Sequence, residues 1–270
     1  MNVELAQIAG LVIRLNARKR GMVDRPYRNT SACRFCRTIE FLTFGRSFFR
    51  STPHWKKFAA DPEVWIDTVT AADFTKATLV CVHGDVIDIS EYTPFTGYGP
   101  RWLVRIEGRE RNEAWEQELS LSAPGFLSSD RHWHMRYRRM SGMDVSADAD
   151  DPEKAVDELK EILLQIAAFA RQVGNNFYAQ VFDSARLFLD TGEAGKLELE
   201  YPDVIPKGAL SAFGTRLLQA SQYAWVFGGM TSWNDYYYED NEELVRLHED
   251  FSRRLHRVLC RSICVAVNTG

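Results

Sequence analysis

"RWLVRIEG", residues 101–108, alternates Trp102, Val104 and Ile106 with Arg101, Leu103 and Arg105. Side chains two residues apart share one face of a strand, so this period of two predicts a half-buried antiparallel strand. The neighbouring segments "ATLVCV" (77–82), "DVIDIS" (85–90), "AWEQELSLS" (114–122) and "HWHMRYRRM" (132–140) are also short, β-branched and aromatic, and turn residues separate them. An antiparallel meander of four or five strands is the economical reading.

On either side of this block the period becomes helical. Upstream, Leu5, Ile8, Leu11, Val12 and Leu15 recur at three- and four-residue spacing, predicting an amphipathic helix over 3–20 with a basic end at Arg18, Lys19 and Arg20. A second helix is expected over 31–50. Downstream, Asp151 and Pro152 form a cap and first-turn pair. They precede a helical stripe of Val156, Leu159, Ile162, Leu163, Ile166 and Phe169. Further helices are expected at about 176–189, 207–227 and 241–267. The fold class is therefore α+β: N-terminal helices with an antiparallel β-meander over 1–145, then a C-terminal helical bundle over 146–270, as two domains or one continuous unit.

Composition places the chain among ordinary globular proteins, with 45% apolar and 26% charged residues in 270. The opening residues lack a secretory leader and no run of apolar residues suits a membrane span, so a cytoplasmic, non-membrane protein is expected. Five cysteines fit a reducing compartment better than a disulfide framework. The net charge of −4 is uneven: twelve Lys and Arg against three Asp and Glu leave +9 in residues 1–60, and the remainder carries −13. Either the two parts pack against each other or one presents its charge to a partner.

The stretch "WVFGGMTSWNDYYYEDNEE", residues 225–243, leads from an apolar helix end through Gly228 and Gly229 into rings and acids. Glycine suits the helix end at Phe227, and Asp240 with Glu243 has the spacing of a capping box for the next helix. Between them stand Trp233, Asp235, Tyr236, Tyr237, Tyr238, Glu239, Asp240 and Glu242. Aromatic residues on a connection serve either as bundle core or as binding hot spots, and the acids match a basic partner. If the helices at 152 and 241 lie adjacent, Asp144, Asp148, Asp150, Asp151, Glu153, Asp157 and Glu158 extend an acidic face. The leading expectation is a non-catalytic protein-binding protein of bacterial immunity or inhibitor type, covering a basic partner such as a nuclease, with no cofactor.

Two other classes compete. A small hydrolase or metal-dependent enzyme would use His132 and His134, which share a strand face, or His83, Asp85 and Asp88. No recognisable nucleophile accompanies them, and "TPFTGYGPR" (93–101) is neither a Walker loop nor a dinucleotide fingerprint. The Cys-x-x-Cys of Cys33 and Cys36 would need Cys260 and Cys264, which share a helix face with His256, to complete a zinc site. Free cysteine more often packs as a small hydrophobe. Nucleic-acid binding would draw on Arg14, Arg18, Lys19, Arg20, Arg25, Arg28, Arg34 and Arg37 with Tyr27 and Phe35, yet the sequence pI of 5.9 opposes it.

Overall fold

The computed structural model describes residues 1–22, 25–47, 50–72, 74–82, 100–109, 112–121, 133–140, 151–192, 199–228, 232–236, 238 and 241–270. Helix α1 (Val3–Lys19) is capped by Asn2, whose side chain accepts from the Leu5 amide. The sequence predicts one apolar stripe on this helix, but every residue from Leu5 to Ala17 is buried. The reason is that small residues interrupt its polar side: a Cβ on Gly10 would touch Val204 Cγ1 at 3.4 Å and the Tyr27 ring at 3.5 Å. The polar side chains that remain are bonded. Gln7 donates to Ala32 O and Cys36 Sγ, and Arg14 to Val204 O.

Beneath α1 lies a six-stranded sheet whose strands stand in the order 50–59, 36–47, 133–140, 112–121, 101–108 and 74–82. Strands β3 (Phe74–Val82), β4 (Arg101–Gly108), β5 (Asn112–Leu121) and β6 (Trp133–Met140) form the expected antiparallel meander. The segment 85–90 lies outside the described residues. Residues 31–50, expected as a helix, instead give a short 3₁₀ turn and strand β1 (Cys36–Ser47), which hairpins into β2 (Arg50–Ala59). Thr38, Ile39, Glu40 and Phe41 carry a period of two that the basic and aromatic composition obscures. Because β1 adds to β6 in parallel, the sheet is mixed and not wholly antiparallel. That pairing puts Ile39 beside Met135 and Phe41 beside Tyr137. Phe41 then stacks on Tyr137 at 4.8 Å and on Trp65 at 4.3 Å between ring centroids.

Trp65 comes from α2 (Pro62–Ala71), a helix whose Asp61 cap and Pro62 first turn repeat the Asp151 and Pro152 signal. The bundle comprises α3 (Pro152–Gln172), α4 (Asn176–Thr191), α5 (Ala212–Tyr223) and α6 (Glu242–Asn268). One hydrophobic cluster runs from the inner sheet face through α1 into these helices. Close approach of α5 to α6 rests on Gly214, where a Cβ would lie 2.9 Å from the Ala266 carbonyl oxygen. Across α3 and α6, Glu158 pairs with Arg261, Gln165 with Arg254, and Phe169 with His248. Rising numbers on one helix meet falling numbers on the other, so the pair is antiparallel. Among the described residues no helix is long and apolar enough to cross a membrane.

Candidate functional site

The corner between α5 and α6 is built around Trp233. Helix α5 stops at Tyr223, earlier than Phe227, and residues 225–228 continue without regular structure to Gly228, whose φ of 87° is the left-handed value glycine takes without strain. A 3₁₀ turn (Trp233–Asp235) follows, in which Asp235 accepts from the Ser232 amide and the Trp233 amide donates back to Val226 O at 3.2 Å. The cap of α6 is Asn241, accepting from the Leu244 amide, in place of the expected Asp240.

The predicted binding residues separate by depth. Trp233 is fully buried, its Nε1 donates to Ser252 Oγ at 2.8 Å, and its ring meets Tyr178, Phe182 and His248 at 5.3, 5.5 and 4.6 Å. Tyr238 is nearly buried against His248 and Phe169, and burial pushes its hydroxyl up to about 12. Burial likewise pushes the His248 imidazole down to about 4, so it stands neutral in this ring cluster at physiological pH. Tyr236, 39% exposed, and the acids Asp235 and Glu242 face solvent. Tyr237, Glu239 and Asp240 lie outside the described residues.

One surface residue at this end was not singled out in the sequence. Phe177, in the first turn of α4, is 69% exposed and packs on Tyr178 at 5.1 Å, which in turn packs on Trp233. Its signal is helical phase: Phe177 falls outside the buried stripe of Ala179, Phe182, Ala185 and Leu189. Helix α4 starts where α3 ends, and the antiparallel α3–α6 pairing brings the start of α6 to the same end. Exposed Phe177, Tyr236 and Val245 thus share one end of the bundle with Asp235, Glu242 and Glu243.

The longer acidic face has a different fate. Helices α3 and α6 do pack together, but antiparallel order sets Asp151, Glu153, Asp157 and Glu158 at the far end from Asn241. The separation is about 30 Å, the length of a helix of some 20 residues. Asp144, Asp148 and Asp150 lie outside the described residues.

No group of three or more His, Cys, Asp or Glu side chains able to hold a metal occurs among the described residues, which removes the four-cysteine zinc arrangement. Cys33 and Cys36 lie under α1, where Cys36 accepts from Gln7, and burial pushes the Cys33 thiol up to about 12. Cys260 and Cys264 are buried on α6, with Cys260 Sγ 3.7 Å from His256 Nε2, and His256 packs under Trp225 and Phe227. Among the described residues the two pairs form no common metal-binding group. His134 bonds to Thr38 Oγ1 at 2.8 Å on the outer sheet face, as its alternation with buried Met135 and Tyr137 predicts. His132, His83, Asp85 and Asp88 lie outside the described residues.

The basic N-terminal side chains are largely engaged within the fold. Arg14 and Arg20 donate to backbone carbonyls of the 203–209 segment and Lys19 to Phe74 O, while Arg18 pairs with Asp67, Arg25 with Asp203 and Arg28 with Asp61. Arg34 stands over the Phe35 ring at 5.3 Å. Cations satisfied in this way have less to offer a phosphate backbone.

Comparison with protein-family models, curated proteins and solved structures returns no significant match to this chain.

Proposed function

We propose that this chain is a non-catalytic binding protein that recognises a basic protein partner, in the manner of an immunity or inhibitor protein, through the end of the bundle where α4 and α6 begin. The observation that carries this reading is the layering of the corner. Exposed Phe177 and Tyr236 rest on half-buried Tyr178 and buried Trp233 and Tyr238 through ring contacts of 5.1 to 5.5 Å. Rings held by a packed layer lose little entropy on binding, and such aromatic anchors dominate protein interfaces. Asp235, Glu242 and Glu243 around them supply the charge that selects a basic surface and speeds encounter with it.

The test is affinity capture from the native lysate at low and moderate salt, comparing wild type with Phe177→Ala/Tyr236→Ala and with Asp235→Asn/Glu242→Gln/Glu243→Gln. A single stoichiometric basic protein retained by wild type, and lost in both variants, is the expected result. Retention unchanged in both would remove this surface. Loss in the ring variant alone would leave an interface without the electrostatic selection proposed.

A further inference from the structure

A concavity is lined by the 225–228 segment, the start of α1, the entries to β1 and β6, and residues 200–201. Its volume is about 310 Å³, within the range of small-molecule sites. Five of its walls are aromatic: Phe35, Trp133, Tyr201, Trp225 and Phe227. Among the described lining residues Glu200 is the one carboxylate, and none is Lys or Arg. Tyr201 donates its hydroxyl to Glu200 Oε1 at 2.9 Å, which holds the carboxylate against the aromatic wall.

Ring faces carry negative quadrupole density, and a carboxylate at the edge of such a wall adds a full charge of the same sign. An anion would be repelled by both. A neutral apolar molecule would gain from the rings but nothing from Glu200. The geometry points to this cleft as a binding site for a small organic cation, an alkyl- or aryl-ammonium whose apolar shell fills the aromatic walls while its charge faces Glu200.

Among the described lining residues the group that competes for that charge is the Met1 amine, which donates to Gln222 O at 3.2 Å. Burial pushes it down to about 5, against the pull of Glu200, so it offsets the carboxylate less than an exposed ammonium would. Arg34 already sits over Phe35 at the mouth, which shows that this ring accepts a cation on its face. The site is separate from the proposed protein-binding surface: none of the five residues altered to test that surface lines the cleft.

The experiment is titration of the full chain with benzyltrimethylammonium and with choline, followed by calorimetry and by the N-methyl proton resonances, which aromatic ring currents move upfield. The neutral isostere of choline, 3,3-dimethylbutan-1-ol, is the control. Saturable upfield shifts with both ammonium probes are expected, with the alcohol bound about tenfold more weakly. Glu200→Gln should weaken choline by a similar factor, and Phe35→Ala, altering a half-exposed ring at the mouth, should weaken it with the melting curve unchanged. No saturable shift with either ammonium probe overturns the inference. So does equal binding of the alcohol and choline, or binding unaltered in both variants.

Discussion

Ser252 is the residue on which the corner turns. It is 1% exposed on α6, accepts from Trp233 Nε1 and donates to His248 O at 2.6 Å, so one hydroxyl serves two elements. Ser252→Ala leaves a buried indole N–H without an acceptor, and chemical denaturation should show a loss of about 1–3 kcal/mol. In the Trp233→Phe background the same substitution should cost less, because the orphaned donor is gone. At this scale the sequence is a good guide to residue type and a poor one to depth. The rings between 233 and 238 read equally well as core or surface in one dimension, and only packing against Phe169, Phe182 and His248 separates Trp233 and Tyr238 from Tyr236. Phe177 was legible by phase, yet an exposed phenylalanine next to a helix cap attracts no notice until its neighbours are known.

Among the elements, β3 shows how the sheet ends. As an edge strand it would offer unpaired amides and carbonyls to another chain. Two asparagines occupy them instead. Asn16 of α1 accepts from the Ala77 amide at 2.9 Å and donates to Ala77 O at 2.8 Å, and Asn268 of α6 does the same for Leu79 at 2.7 and 2.9 Å. Each side-chain amide stands in for a missing strand, and the first and last helices are tied to the same edge. Asn268→Ala should cost about 1–3 kcal/mol for the two backbone groups it leaves unmet. It should also increase self-association in light scattering, whereas an unchanged monomer signal would show that α6 alone protects the edge. Most helices were readable because caps and periodicity agree, as at Asp151 and Pro152. Helix α2 carries the same Asp-Pro-Glu opening but is too short for its stripe to stand out. Strand β1 reads as helix because its aromatic and basic residues fit both periods, and one of its two partners, β6, lies about a hundred residues away.

For the whole molecule, buried ionisable groups set opposing dependences on pH. Burial pushes Glu4 up to about 7 from an ordinary value near 4.5. Between those values the folded chain keeps a proton the unfolded chain has released, so this contribution to stability falls as pH rises. His248, down to about 4 from 6.5, and the Met1 amine, down to about 5 from 8, act in the other direction. In their windows the unfolded chain binds the extra proton, and stability is lost as pH falls. Stability measured by urea denaturation should therefore rise more steeply between about pH 4.5 and 7 in Glu4→Gln than in wild type, and less steeply below pH 6.5 in His248→Phe. Parallel curves for either variant would mean that its group titrates alike folded and unfolded.

At the same scale, the sequence by itself determined the α+β class, the meander from β3 to β6, α1 and most of the bundle, because those rest on local periods, caps and turn residues. Tertiary structure alone decided the parallel β1–β6 pairing, the antiparallel order of α3 and α6 that divides the acidic residues between two ends, and the separation of the cysteine pairs. It also decided which rings of the 225–238 segment are core, which line the cleft and which meet solvent. These are relations between residues distant in the chain, and no local period encodes the direction in which two elements meet.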